Sequence, residues 1–224
     1  MTHVGDWSRA AAAIPSPVRD RLRFIRNRVR GMMSPGKLRK AVARCHANNR
    51  PIRIILGAGR SSYDQWIATD VDALNICRPD DWAAYFAPGS VDAILSEHVL
   101  EHLSVEENRV ALKSALKYLK PGGRFRIAVP DGNRRDAYYR AAVAPPVDGH
   151  KVIFNLQSLT ALLGETGFVV RPLEYLDDKE EFHTVEWNSE DGHISRSARH
   201  DRQENFKKGE FYYTSLIVDA FKPR

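Results

Sequence analysis

Cysteine and long hydrophobic runs are both scarce in this sequence of 224 residues. The two cysteines, Cys45 and Cys77, form neither a close pair nor a metal-binding spacing. The longest uncharged stretch, residues 152–164, has thirteen residues, whereas a membrane-spanning helix needs about 20. The N-terminus lacks the basic start and apolar core of a secretory signal. These absences predict a reduced, cytoplasmic protein that folds around its own core.

Acidic residues are nearly missing from residues 18–53, which carry twelve arginines and lysines against Asp20 alone. Residues 54–224 have a net charge of −5, so the basic character is confined to this leader. Apolar residues recur at helical spacing through residues 18–33, which predicts an amphipathic basic helix. Three roles stay open for it: packing on the body as a lid, peripheral contact with an anionic membrane, or nucleic-acid binding. The last is disfavoured, because no known nucleic-acid motif supports it.

Strand and helix patterns alternate through the rest of the chain, which predicts an α/β fold with a largely parallel sheet. Short apolar runs predict strands at residues 52–56, 66–71, 73–76, 91–96, 124–129, 168–175 and 211–221. One helix is predicted to start at the capping box of Ser104 and Glu107, and another at the N-cap Asn155. A shorter basic helix is predicted at residues 37–48.

The domain boundary is predicted near residue 50, after the basic stretch. Residues 1–50 then form a leader with amphipathic helices, and residues 51–224 form the main domain. Within that domain, residues 176–209 make a polar insert before the last strand. An insert this long with so little apolar content is typically functional or disordered. Trp187 is an exception within it, because a loop seldom keeps a tryptophan with nothing to pack on.

Gly57-Ala58-Gly59 follows directly on the predicted strand at residues 52–56. Two glycines permit a sharp turn and let a ligand approach the backbone closely. Asp70 ends the next predicted strand, where a carboxylate can accept hydrogen bonds from a ribose diol. Only residues 60–65 separate the glycines from that strand, which is too short for the helix N-terminus that a pyrophosphate requires. The pattern disfavours a nicotinamide-dependent oxidoreductase and favours a ribose without phosphates; an ordinary tight turn is the plain alternative.

The segment His98-Val99-Leu100-Glu101-His102 lies just beyond the predicted strand at residues 91–96, where ligands bind in such sheets. If the segment is helical, His98, Glu101 and His102 share one face. Three interpretations stay open: a zinc site, as in a zinc-dependent hydrolase; a pocket-lining pair that orients or deprotonates a substrate; and one pocket histidine beside one core histidine. Zinc receives less weight, because the sequence shows no evident further ligand.

These segments, together with Leu119-Lys120-Pro121-Gly122-Gly123 and the strand after it, resemble class I S-adenosylmethionine-dependent methyltransferases. The resemblance covers residues 52–131. It implies a Rossmann-like fold whose seven-stranded sheet is mostly parallel with an antiparallel last strand. It also implies S-adenosylmethionine as the cofactor and a small-molecule or glycan-like acceptor that is methylated at oxygen or nitrogen. No metal is expected: some methyltransferases bind magnesium through Glu-x-x-Glu-His here, but His98 replaces the first glutamate.

The resemblance also implies roles by position. The cofactor would be bound by Gly57, Ala58, Gly59, Asp70, Asn75, Ser96, Glu97 and His98. Among these, the glycines would lie against the methionine part, Asp70 on the ribose and Asn75 near the adenine. A hydroxyl acceptor requires a base, for which the candidates in order are His98, His102 and His150, whereas an amine acceptor requires no strong base. Ile55 stands where many members carry an acid, which leaves open a non-catalytic, cofactor-binding member of the fold.

Overall fold

The computed structural model describes residues 33–200 and 215–224. The predicted basic helix at residues 18–33 lies outside this part except for Met33. Its packing, membrane contact and nucleic-acid roles therefore stay predictions. Among the described residues, no helix has the length and apolar character needed to cross a membrane.

In the described part of the chain, seven strands form one sheet in the order β2-β1-β3-β4-β7-β5-β6. The strands are β1 (Arg53–Leu56), β2 (Ile67–Ala68), β3 (Val91–Glu97), β4 (Leu119–Pro130), β5 (Val169–Leu176), β6 (Phe182–Thr184) and β7 (Ser215–Phe221). Parallel pairs join β1 to β2, β1 to β3 and β3 to β4. Antiparallel pairs join β7 to both β4 and β5, and β6 to β5. The predicted Rossmann-like α/β fold, mostly parallel with an antiparallel last strand, is confirmed.

The strand predicted at residues 73–76 is wrong, because this segment folds as consecutive turns. The amides of Ala73 and Leu74 both donate to the carbonyl of Asp70. The side-chain oxygen of Asn75 accepts a hydrogen bond from the amide of Cys77 at 3.0 Å. Such local bonds compete with a strand ladder for the same backbone groups. The seventh strand is instead β6, a short hairpin partner of β5 within the polar insert.

The helices are α1 (Pro35–Ala47), α2 (Pro79–Ala83), α3 (Val105–Tyr118), α4 (Ala137–Val143) and α5 (Leu156–Thr166). The predicted capping box of Ser104 and Glu107 starts α3, and Asn155 caps α5. The basic helix predicted at residues 37–48 is α1, which begins earlier because Ser34 caps it and Pro35 occupies its first turn. Leu38 and Val42 of α1 are buried in the main core. The predicted boundary at residue 50 stays a prediction.

The sheet is covered differently on its two faces. Residues of α1, α2, α3 and α5 pack with Ile54, Ile94 and Ile127 in the larger apolar core. The other face, with Ile55 and Leu95, packs against Trp187 and Ile194 of the polar insert. Trp187 is only 7% exposed, which confirms that it packs on something. The described part of the insert is therefore a cover for the second face of the sheet.

Arg126 of β4 fastens this cover to the sheet. Its guanidinium donates to both carboxylate oxygens of Asp219 on β7, at 2.7 and 2.9 Å. The same side chain donates to the carbonyls of Asn188 and Gly192 in the insert, both at 2.8 Å. Its guanidinium carbon also lies 4.7 Å from the centre of the Trp187 ring. Because every branch of the buried guanidinium is bonded, the charge is tolerated inside the protein.

Breaking this pair should destabilise the fold. Asp219→Ala leaves the Arg126 charge buried without its counter-ion, and we expect the free energy of unfolding to fall by about 3–5 kcal/mol. Urea denaturation monitored by circular dichroism measures this change.

The exposed pair of Arg109 and Glu165, 3.2 Å apart, provides the control. Glu165→Gln should cost no more than about 1 kcal/mol, because surface pairs contribute little. Equal losses of unfolding free energy in the two variants would show that burial of the Arg126–Asp219 pair does not increase its contribution to stability.

Candidate functional site

The glycine loop after β1 adopts a backbone that most residues avoid. Gly57 and Gly59 have φ angles of +59° and +55°. A Cβ atom on Gly57 would lie 2.6 Å from Cγ2 of Val99, whereas one on Gly59 would meet nothing within 4 Å. The amide of Ala58 donates to the carbonyl of Thr69 at 2.8 Å, which ties the loop to the chain after β2. The loop is thus held open, with space around the backbone at Gly59.

Asp70 closes the loop from the other side. One carboxylate oxygen accepts a hydrogen bond from the amide of Gly59 at 3.2 Å, and the other accepts from the amide of Val71 at 2.7 Å. The side chain stays half-buried and lines a cavity with Asn75, Val99 and other residues. Each carboxylate oxygen has a second lone pair, so the group can still accept from a ligand hydroxyl.

Two cavities meet beside the loop. The first, about 290 Å³, is lined by Gly57, Asp70, Val71, Leu74, Asn75, Ile76, Cys77, His98, Val99, His102 and Leu103. The second, about 280 Å³, is lined by Ile55, Leu56, Gly57, Ala58, Ser61, Tyr63, Leu95, Glu97, His98, Ser195 and Arg196. Gly57 and His98 line both. The two cavities therefore offer one elongated ligand a path past these two residues.

Most of the residues predicted to bind a cofactor line these cavities. Gly59 and Ser96 are the exceptions: Gly59 is exposed and Ser96 is fully buried, and neither lines a cavity. Of the candidate bases, His98 lies where the cavities meet, His102 lines the first cavity, and His150 lines neither. The predicted binding and catalytic roles themselves stay predictions.

His98 is held by contacts on every side. Its φ angle is +56°, a strained value for a residue with a side chain. Its Nε2 lies 2.9 Å from the hydroxyl of Ser215, and its Nδ1 lies 3.0 Å from a carboxylate oxygen of Glu101. Burial lowers the pKa of His98, although the neighbouring Glu101 acts in the opposite direction. The neutral imidazole is thereby favoured.

The segment after His98 is not the helix that would place three side chains on one face. Leu100–His102 form a single turn of 3-10 helix, and His98 precedes this turn. Glu101 and His102 instead lie near His150, which comes from the loop after α4. The sequence suggested a zinc-dependent hydrolase with His98, Glu101 and His102 as ligands. In the structure, the potential metal ligands near one another are instead Glu101, His102 and His150.

Comparison with known proteins identifies the family. Residues 26–173, well over half of the chain, match a family described as a methyltransferase domain. The chain belongs to this methyltransferase family. The match selects a methyltransferase over the zinc-hydrolase and oxidoreductase alternatives. The enzyme's cofactor is S-adenosylmethionine.

The fold is shared with a solved structure. The methyltransferase superposes on an S-adenosylmethionine-dependent methyltransferase from Archaeoglobus fulgidus with a TM-score of 0.50 and 15% identity, covering 83% of this chain and 94% of that one. A 1,6-didemethyltoxoflavin N1-methyltransferase from Burkholderia thailandensis, solved with S-adenosylhomocysteine, gives a TM-score of 0.49 at 15% identity, covering 100% and 93%. No curated protein sequence matches the chain.

The polar insert of the methyltransferase reaches the second cavity. The carboxylate of Glu97 accepts hydrogen bonds from the amides of Ser195 and Arg196, at 3.1 and 2.7 Å. The hydroxyl of Tyr63 lies 3.2 Å from that of Ser195. Neither Tyr63 nor Ser195 belongs to a motif that predicts a role in the site. Tyr63 could have been found from the sequence, because it is an aromatic residue in the short connection between the glycines and β2.

Gly57→Ala should abolish the open loop. The added methyl group meets Val99, and the positive φ angle costs a further 1–2 kcal/mol or so. We expect S-adenosylhomocysteine binding, measured by calorimetry, to weaken by at least about tenfold.

The matched control for this variant is Gly164→Ala. Gly164 lies in α5 with open space around it and no positive φ, so this change should leave binding unaltered. Normal affinity in Gly57→Ala would contradict the close approach of Val99.

Asp70→Asn should weaken cofactor binding without unfolding the protein. A hydrogen bond to a charged group contributes about 1.5–3 kcal/mol, and 1.4 kcal/mol is about tenfold in affinity. We therefore expect a loss of roughly tenfold or more in calorimetric titration with S-adenosylhomocysteine.

Asp178→Asn removes the same charge at an exposed position in the insert and should change the affinity little. If both variants bind alike, Asp70 does not contact the cofactor.

Proposed function

We propose that the enzyme transfers the methyl group of S-adenosylmethionine to a small-molecule acceptor bound beside His98. The observation that carries this proposal is the meeting of two cavities at Gly57 and His98. One side can hold a nucleoside, and the other can hold the reacting end of an acceptor. The meeting point is where donor and acceptor would come together.

The first cavity suits the adenosine part of the cofactor. Asp70 presents a carboxylate for the ribose hydroxyls, and Leu74 and Val99 supply apolar surface for the adenine ring. Asn75 lines the same cavity, which agrees with its predicted position near the adenine. Gly57, Ala58 and Gly59 would then lie against the methionine part. No pyrophosphate site is needed, and the short connection to β2 leaves no helix for one.

The second cavity suits a small acceptor. Its volume of about 280 Å³ lies near the lower end of the usual range for ligand pockets, roughly 300–1,000 Å³. Glu97 holds the insert over it through the amides of Ser195 and Arg196. A glycan-like acceptor, membrane contact through the basic leader and a cytoplasmic location remain predictions.

His98 is the residue we assign to the acceptor proton. S-adenosylmethionine supplies an already activated methyl group, so the protein mainly aligns the reacting atoms. A hydroxyl acceptor must lose its proton during or after attack, and an imidazole at the junction can take it. His102 and His150 rank lower, because the former faces the adenosine side and the latter lines neither cavity. An amine acceptor would need no such base.

His98→Asn tests this role. Asparagine tolerates a positive φ angle better than most residues, so the backbone should survive, but it cannot act as a base. We expect turnover to fall by about 10²–10⁴-fold, with S-adenosylhomocysteine affinity changed less than about threefold. His46→Asn, on the exposed side of α1, is the matched control.

Turnover is measured as transfer of labelled methyl from S-adenosylmethionine into the low-mass fraction of a cell extract. Label confined to the protein or nucleic-acid fraction would contradict a small-molecule acceptor. Label in a polysaccharide fraction would favour the glycan-like acceptor. Loss of turnover through loss of cofactor binding would contradict the base role of His98.

A further inference from the structure

Glu101, His102 and His150 come together beside the first cavity. One potential ligand atom from each lies within 4.8 Å of the other two. Glu101 and His150 are buried, and His102 is half-buried and lines the cavity. Two imidazoles and a carboxylate are a donor set that zinc binds in proteins.

The carboxylate of Glu101 lacks the hydrogen bonds that a buried acid needs. It is 1% exposed, and apart from its contact with His98 neither of its oxygens accepts a hydrogen bond from the described residues. That contact joins one carboxylate oxygen to Nδ1 of His98 at 3.0 Å. Burying a carboxylate with so little hydrogen bonding is costly, and a bound cation would offset that cost.

The orientation of His150 suits a metal ligand. Its Nδ1 lies 2.8 Å from the carbonyl oxygen of Val143. A carbonyl can only accept, so Nδ1 carries the hydrogen and Nε2 of the neutral ring keeps its lone pair. Metal-binding histidines almost always donate their other ring N–H in this way. The ring of His102 packs edge-on against that of His150, with centres 4.8 Å apart.

We propose that Glu101, His102 and His150 bind one zinc ion. Zinc–ligand distances are about 2.0–2.2 Å, so binding would draw the three ligand atoms together by roughly an ångström. Rotation of the half-buried His102 can supply that movement. Three protein ligands leave one position for water or another ligand on the cavity side. Magnesium fits less well, because two of the three ligands are nitrogens.

A second group, Asp177, Glu181 and His183, has similar spacing but a different explanation. Asp177 already accepts hydrogen bonds from the amides of Lys179 and Glu181, and His183 lies 2.9 Å from it. These bonds satisfy the carboxylate within its own turn. The group therefore serves as an internal control for zinc binding.

The experiment uses the full chain without an affinity tag, stripped with a chelator and titrated with Zn²⁺ in a calorimeter. We expect one zinc per chain by mass spectrometry of the bound metal. Glu101→Gln and His150→Gln should each weaken zinc binding by at least tenfold, since even loss of a residue behind a metal ligand costs about 10–100-fold. His183→Gln should leave the affinity unchanged.

Substituting a buried ligand could unfold the protein, so His102→Gln serves as the second variant. His102 is the least buried of the three ligands. Circular dichroism checks that this variant is folded. Zinc should raise the unfolding temperature of the wild type but not that of His102→Gln. The proposal is overturned if the wild type binds no zinc, if folded His102→Gln keeps its zinc affinity, or if His183→Gln alone abolishes binding. None of these measurements requires methyl transfer, so their result is independent of the proposed function.

Discussion

The parallel register of β1 and β3 is the constraint on which the site depends. Leu56 pairs with Ser96, so the residues that follow the two strands leave the same edge of the sheet side by side. Gly57 and His98 then both take positive φ angles at this edge. Val99 packs so closely on Gly57 that only glycine fits there. The two cavities lie at this edge, and Gly57 and His98 line both of them.

Buried charge connects the cover of the sheet to the same site. Arg126, Asp219 and Glu174 lie beneath the insert, where apolar residues would ordinarily be found. Burial raises the pKa of Glu174, but its two oxygens accept hydrogen bonds from the Trp187 indole and the Ala198 amide. A polar insert can therefore cover a sheet face, because the strands supply partners for its backbone. Glu97 extends this arrangement to the edge of the cavity.

Much of the fold could be predicted because its signals are local. The capping residues Ser104 and Asn155 mark helix starts by bonding three residues ahead, which a sequence displays directly. The prediction failed at residues 73–76, where apolar residues are buried in turns that side-chain bonds of Asn75 support. Burial without alternation does not distinguish a strand from such turns. The strand β6 was missed because it is short and depends on pairing with β5.

By itself, the sequence determined the glycine loop, Asp70 and the His98 segment, since each requires only a strand end and the residues that follow it. Tertiary structure alone decided which distant side chains join them. Tyr63 meets Ser195 across 132 residues, and His150 reaches Glu101 from the loop after α4. Such contacts depend on where chain segments cross in space, and burial decides which polar groups lose water there. His150, the further ligand of the proposed zinc site, is far from Glu101 in the sequence, and only folding brings the two side chains together.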